Sequence, residues 1–487
     1  MPDIQLSNVL VSLILFLLVK LIHRTYVTPL RHIPGPLLNS LTNLPLIYHT
    51  ALGDYHRYSI SLHRRFGPLV RIGPTKVSVS GLAEIRTVLS SHTFRKGQVY
   101  EKLRVLPAST FSTTDPELNK LRRRQLGKSY AWPAVRSYED EVLKHGVLSL
   151  MAKWDSNDNN NNNDNNTNNN NNSWVNYHDG FHQMSFNIVG ILGLGTEFSA
   201  SQTNKIIDAQ NKALVLGILK ATLPLGSKLQ WLFRDLVRAR EYLIRTARDA
   251  ITRADGMLIK HVARDPLTKQ PLSTDELTAE IALMLTAGTG TTSNTLTWAT
   301  MCLLYHPKVH KRLASLLRQA FPNKRVIRYA DAKTVPYLTA IIFESMRLFP
   351  VASGCIPRRV PKACTLGHHY CLPAGTEVCV ALAACHRSPE VWSNPDVFDP
   401  ERFMGPDCDD RIRDVLAFST GVRICLGRHL AMMELYTVLA NIVHKYDFSL
   451  PNKDWSVGSL DDVPMRTFVN RTPMYPERDC WMVISPC

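Results

Sequence analysis

The chain has 487 residues, of which 45% are hydrophobic and 20% charged, a globular balance able to bury a cofactor-sized core. Lysine and arginine outnumber aspartate and glutamate 57 to 41, giving a net charge of +16. The basic residues are dispersed, and the densest cluster, Arg122-Arg123-Arg124, carries no interleaved aromatics, which argues against nucleic acid and for a membrane surface, an acidic protein partner or buried anionic cofactor groups. All ten cysteines lie from Cys302 onward and none forms a CxxC pair, which excludes zinc-finger and thioredoxin readings and suggests mostly reduced thiols in a reducing compartment.

The first segment, Leu6 to Ile22, reads LSNVLVSLILFLLVKLI and predicts a single membrane-spanning anchor near the lower length limit, within residues 1–24. A cleaved signal peptide fits poorly, because no basic residue precedes the run and no small-residue cleavage site follows. Lys20, Arg24 and Arg31 follow the apolar stretch and place the remaining chain on the cytosolic side. The proline-rich stretch 25–36, ending in His32-Ile-Pro-Gly-Pro36, predicts a stiff non-helical hinge ahead of one catalytic domain, 37–487. Gly67 to Ser80, with β-branched alternation and Gly-Pro turns, predicts strands of a small sheet. From about Glu117 helical periodicity dominates, so the fold class is mainly α with a small β region. The tract 157–172 is nearly all asparagine and predicts a disordered surface insertion between two helices.

Ser273-Thr-Asp-Glu276 reads as a capping box that opens a helix running to Tyr305, roughly 45 Å long and buried on most sides. Its middle, Ala287 to Asn294, is rich in Gly and Thr, which invites a local distortion, hydroxyl back-bonding to carbonyls and the close approach of something flat. A second helix, near Val335 to Leu348, opens with Pro336 and places Glu344 and Arg347 on one face as an ion pair. Phe418 to Val443 then joins a Gly-containing loop to a helical run. Cys425, read at the helix N-terminus, meets the positive dipole end and free N–H groups, which favour thiolate. Gly421 allows a tight turn, Gly427 removes a side chain where a planar group must approach, and Arg423 can pair with an acidic group of that ligand. Such a thiolate is a good axial ligand for haem iron.

The pattern Phe418-x-x-Gly421-x-Arg423-x-Cys425-x-Gly427 resembles the haem-binding signature of the cytochrome P-450 family. Glu344-x-x-Arg347, Pro400-Glu-Arg402-Phe403, Ala287-Gly-Thr-Gly290-Thr291-Thr292 and the proline hinge resemble further family motifs in the family's order, from about Pro29 to the C-terminus. The style is similar to fungal microsomal members of secondary metabolism. The resemblance implies haem b (iron protoporphyrin IX) between the long helix and the Cys425 loop, and Cys425 as metal ligand. It implies Phe418 packed beneath the sulfur, and Arg423, Arg123, Arg358 and Asn119 at the haem propionates. Arg402 would complete a buried network with Glu344 and Arg347, and Thr291 would be the distal hydroxyl. Substrate would be lined by Val99 to Phe111, Leu283 to Thr291 and Val351 to Ile356.

The activity implied is monooxygenation of a lipophilic small molecule, using dioxygen and electrons from NADPH through NADPH–cytochrome P-450 reductase, at the endoplasmic reticulum membrane. Two positions depart from the family pattern. Gly290 stands where the family usually has an acid before the threonine, and Asn119 where it often has Trp or His. The first puts the proton relay in question and keeps open a haem-thiolate isomerase or dehydratase that needs no reductase. A non-catalytic haem protein is a further alternative, against which Thr291 and the arginine set argue.

Overall fold

The computed structural model describes residues 2–23, 27–90, 92–97, 99–104, 107–161, 173–222, 230–253, 270–323, 326–367, 370–451, 459–468 and 470–487. Pro2–Ile22 (α1) is a helix of 21 residues, with Val9, Ile14, Phe16 and Leu18 among its exposed apolar side chains. No helix among the described residues is long and apolar enough to cross a membrane, so the expected spanning anchor is not borne out. The physical reason is polar interruption: only eleven residues separate Asn8 from Lys20, and Ser12 lies among them, against the ~17 or more that a span needs. The chain that follows is fastened to the body. Leu30 and Ile33 are buried in the core beneath the sheet, and the Arg71 N–H donates to Pro34 O at 2.7 Å.

The expected strands form as Leu69–Gly73 (β1) and Lys76–Val79 (β2), an antiparallel pair with Leu69 opposite Val79. They join Arg95–Lys96 (β3), Ile356–Arg359 (β4) and Glu377–Val380 (β5) in a five-stranded sheet of order β1-β2-β5-β4-β3. Antiparallel pairing of β4 with β5 brings Cys355, beside β4, to Cys379, with a Cα–Cα distance of 5.4 Å. These two sulfurs are joined as a disulfide, so the expectation of reduced thiols holds for the other eight cysteines and not for this pair.

Helices make up the remaining bulk: Pro116–Gly127 (α2), Ser149–Asn161 (α3), Tyr177–Leu194 (α4), Thr274–Tyr305 (α5), Pro336–Leu348 (α6) and Arg428–Lys445 (α7). Helix α3 runs through Asn161, so the first residues of the asparagine tract are helical rather than loop, and 162–172 lie outside the described residues. The 32-residue α5 carries the expected capping box. It stays a continuous α-helix through Ala287–Asn294, without the expected distortion. Thr286, Thr289, Thr291, Ser293, Thr295 and Thr297 each donate to the carbonyl four residues back, which absorbs their hydroxyls without breaking the ladder. The largest apolar core packs α5, α6 and α7 against α4. A hairpin, Met465–Thr467 (β6) and Arg471–Pro473 (β7), closes the domain.

One buried carboxylate organises the region under α7. Glu344 accepts from Arg347 Nε at 2.6 Å and Nη2 at 2.8 Å, from Arg402 Nε at 3.0 Å and from the Asp399 N–H at 2.8 Å. Arg347 Nη1 reaches the carbonyls of His386 and Pro395, both at 2.7 Å. His386 in turn accepts the Leu416 N–H at Nε2, 3.0 Å away. Burial, then Arg347, holds that imidazole neutral down to about 3, so the acceptor lone pair is always available. A second acid, Glu434 on α7, is buried and accepts from the hydroxyl of Ser185 at 3.2 Å, with no ion pair among the described residues.

Glu344→Ala leaves two buried guanidinium groups without their counter-charge. It should cost about 3–5 kcal/mol of stability, read as a lowered urea midpoint. Burial pushes the Glu434 carboxyl from 4.5 up to about 8, against the Ser185 hydrogen bond. Between those values the folded state holds a proton that the unfolded chain has lost, so the contribution of this group to stability falls as pH rises through the window. Glu434→Gln should flatten that slope, checked by urea midpoints at about pH 5 and about pH 8.

Candidate functional site

The loop between the Glu344 network and α7 is set by its own backbone. The Cys425 N–H donates to Phe418 O at 2.9 Å, Ser419 N–H to Leu416 O at 2.8 Å and Ile424 N–H to Gly421 O at 3.1 Å. Ser419 and Gly421 both adopt left-handed conformations, with φ of 61° and 68°. At Gly421 a Cβ would also run into the Leu89 carbonyl, so the expected tight turn is real and admits no side chain. From α2, Arg123 Nη1 donates to Ile424 O at 2.9 Å and fastens the loop from the other side.

Cys425 sits in the loop at the N-terminal end of α7. Gly427 is the N-cap, and the sulfur lies two residues ahead of it, in the loop. The helix still acts on it, because the Gly427 N–H bonds the sulfur. Burial raises the thiol pKa, while that N–H, Arg123 and Arg428 pull it down. The side chain is exposed, but into an interior cavity rather than to bulk solvent. Gly427 lines the same wall, and a Cβ there would meet no atom within 4 Å, which leaves a flat approach to the loop clear.

The cavity measures about 930 Å³. Parts of all three expected segments line it: Val99, Tyr100 and Phe111; Leu283, Met284, Thr286, Ala287, Gly288 and Thr291; Val351, Ala352, Gly354 and Cys355. Cys355 is disulfide-bonded, so Cys425 is the one free thiol on the wall among the described residues. Thr291 faces the cavity and donates its Oγ1 proton to Ala287 O at 2.6 Å, with Gly290 just before it. Phe418 lines the wall beside the sulfur, half-buried.

Arg123, Arg358 and Arg423 converge on this wall as expected, and they are joined by Lys96, which the sequence reading missed. Strand pairing sets Lys96 directly opposite Arg358, and like charges across a ladder repel. Burial first, then Arg358, Arg423 and Arg123, hold the Lys96 ammonium well below its usual range. Burial, then Arg358 and Arg123, lower Arg423 to about 10. No ion pair relieves any of the four among the described residues. Lys96 Nζ donates to Phe111 O and stands 4.1 Å from the Tyr100 ring centroid, Arg358 Nη1 donates to Tyr100 Oη at 3.2 Å, and Arg423 Nη1 to Thr110 O at 3.4 Å. Buried cations without counter-charge are costly, and an acidic ligand in the cavity offsets that cost. Asn119 is fully buried behind them, with Nδ2 on Thr110 O at 3.0 Å and Oδ1 unpartnered. The donor set therefore fits a flat group with a soft-metal centre facing sulfur and carboxylates facing the cations, which are the features of haem. The only sequence hint of Lys96 is its place between aromatics, Phe94 and Tyr100, while Tyr100 itself falls within the expected Val99 to Phe111 segment.

Comparison with known proteins agrees with this geometry. A cytochrome P450 family model matches residues 34–461. The cytochrome P450 monooxygenase helB3 of Aspergillus fumigatus is 30% identical over 491 residues, covering 96% of this chain and 95% of that protein. The monooxygenase helB1 of the same fungus is 30% identical over 494 residues, covering 96% and 83%. The monooxygenase atnE of Emericella nidulans is 30% identical over 458 residues, covering 88% of each. The chain belongs to the cytochrome P450 family.

Proposed function

We propose that this protein is a haem-thiolate monooxygenase that oxidises a lipophilic small molecule, in fungal secondary metabolism as the character of its relatives suggests. The observation that carries the reading is that one cavity is lined both by a single free thiol, among the described residues, and by four unneutralised cations. Haem b, when bound, supplies the electron storage and dioxygen activation that no side chain offers.

The chain's own residues then divide the work. Cys425 gives its sulfur to the metal, and the Gly427 N–H tempers the charge on that sulfur. Phe418 packs beside it. Arg123, Arg358 and Arg423, with Lys96 and Tyr100, hold the propionates, and Asn119 fixes Thr110 behind them. Glu344, Arg347 and Arg402 keep the loop in place from below. The apolar wall of Val99, Leu103, Leu283, Met284 and Val351 excludes water and receives the substrate. Thr291 Oγ1 holds a hydroxyl at the wall and passes a proton inward.

Electrons come from NADPH through a cytochrome P-450 reductase, whose acidic face docks on the Cys425 side and is steered by the basic excess of +16. The exposed apolar side chains of α1 attach the protein to the endoplasmic reticulum membrane, with the catalytic domain, 37–487, in the cytosol. The hinge 25–36 orients that domain through its bond to β1, Arg71 N–H to Pro34 O.

The reduced, carbon-monoxide-bound protein should show a Soret band shifted far to the red, and Cys425→Ala should lose that band and NADPH-driven oxygen uptake. An unshifted band, full activity in the variant, or turnover of substrate without NADPH and dioxygen overturns the assignment. Deleting residues 1–24 should release the protein from the membrane fraction on centrifugation. Continued sedimentation with membranes moves the attachment elsewhere.

A further inference from the structure

Gly290, Asn294 and Trp298 recur at four-residue spacing and so form one face of α5. The β6–β7 hairpin covers this face. Trp298 Nε1 donates to Arg471 O at 3.2 Å. The Arg471 N–H donates to Val351 O at 2.7 Å, and its Nη1 to Leu348 O at 3.0 Å, so the hairpin is pinned between α5 and the end of α6. Asn470, one residue earlier, is placed by those bonds and lines the cavity.

Its Nδ2 stands 3.4 Å from the point a Gly290 Cβ would occupy. A carboxamide therefore lies at the edge of the space that a side chain at position 290 would fill. Asn294 is 4% exposed, donates Nδ2 to Gly290 O at 2.6 Å, and has no partner for Oδ1. That orientation is forced, since a flipped amide would set two oxygens against each other. A buried acceptor without a donor is costly, and one water relieves it where a polar recess has room. Thr291 is next in the chain and spends its proton on Ala287 O, which leaves its lone pairs to accept.

We propose that Asn470 and Asn294 seat a water beside Thr291 and so position, with neutral amides, the proton path that lacks a carboxylate at position 290. This rests on the monooxygenase reading above. The amides do not ionise. Asn470 donates to the water and Asn294 Oδ1 accepts from it; the water passes its proton to the Thr291 hydroxyl while taking another from solvent, and Thr291 releases into the cavity the proton it held against Ala287 O. Both are positioning residues.

The test needs no organic substrate. In the haem-loaded full chain with reductase, one NADPH and one proton reduce dioxygen to hydrogen peroxide, whereas two NADPH and two protons reduce it to two waters. Poor proton delivery favours peroxide. Asn470→Ala should raise the peroxide released per NADPH oxidised severalfold, with the carbon monoxide spectrum unchanged. Adding Gly290→Asp to that variant should restore the wild-type ratio and give it a pH dependence in the carboxylate range. An unchanged ratio in Asn470→Ala overturns the proposal. So does a raised ratio that Gly290→Asp fails to lower, which assigns Asn470 a packing role. A wild-type protein without a thiolate carbon monoxide spectrum removes the reading of function itself, and this inference with it.

Discussion

The buried carboxylate of Glu344 is the constraint on which the rest of the site depends. It serves two guanidinium groups and a backbone N–H at once, and its neighbours spend their remaining donors on carbonyls of the 386–397 segment. A network satisfied in this way specifies one arrangement, because any partial version strands a charge in the core. The arrangement propagates upward. Arg347 holds the His386 carbonyl, and the His386 ring holds Leu416, two residues before Phe418. From there the carbonyl of Phe418 holds Cys425. The sulfur is thus positioned by a chain of bonds that starts on a helix more than seventy residues earlier in the sequence.

The basic excess of the molecule is a second thread. A surplus of +16 could be spread over a surface at little cost. Part of it is concentrated instead on the cavity wall, with Lys96 opposite Arg358 in a strand pair where the ladder itself offers no relief. Arg122, one residue before Arg123, shows the contrast. It is equally basic and more buried, but it lies beside Glu276 and Glu280 and needs no external anion. Lys96, Arg123, Arg358 and Arg423 have no such partner among the described residues and line the cavity, and this separates them from the structural ion pairs of Arg122.

Legibility in the sequence followed the range of the interaction. The capping box of α5, the Glu344–Arg347 spacing, the strands after Gly67 and the Cys425 loop are local patterns, and they form where their residues predict. Helix α5 also departs from its local reading, because hydroxyls that looked disruptive are absorbed by carbonyls one turn back and the ladder continues. Lys96, the Cys355–Cys379 bond and Asn470 over Gly290 depend on which strands and hairpins meet, 24 residues apart for the disulfide and far more for the other two, and no local spacing encodes that. For α1, apolar content suggests a span, but no helix among the described residues is long and apolar enough to cross a membrane, and Asn8 and Lys20 interrupt the run.

The thiol and the cations that line the cavity are each unfavourable alone, and for opposite reasons. On one side burial disfavours the charged form of Cys425, and a single backbone N–H with two cations only partly restores it. On the other, burial and mutual repulsion disfavour the charged forms of Lys96 and Arg423. Extra hydrogen bonds from protein could ease either, but not both with one change. A ligand with a metal at its centre and carboxylates at its rim does so in one step, because it accepts the sulfur's electrons and neutralises the cations together. Its binding free energy then adds to that of folding, since the unfolded chain offers no such pairing of sulfur with positive charge.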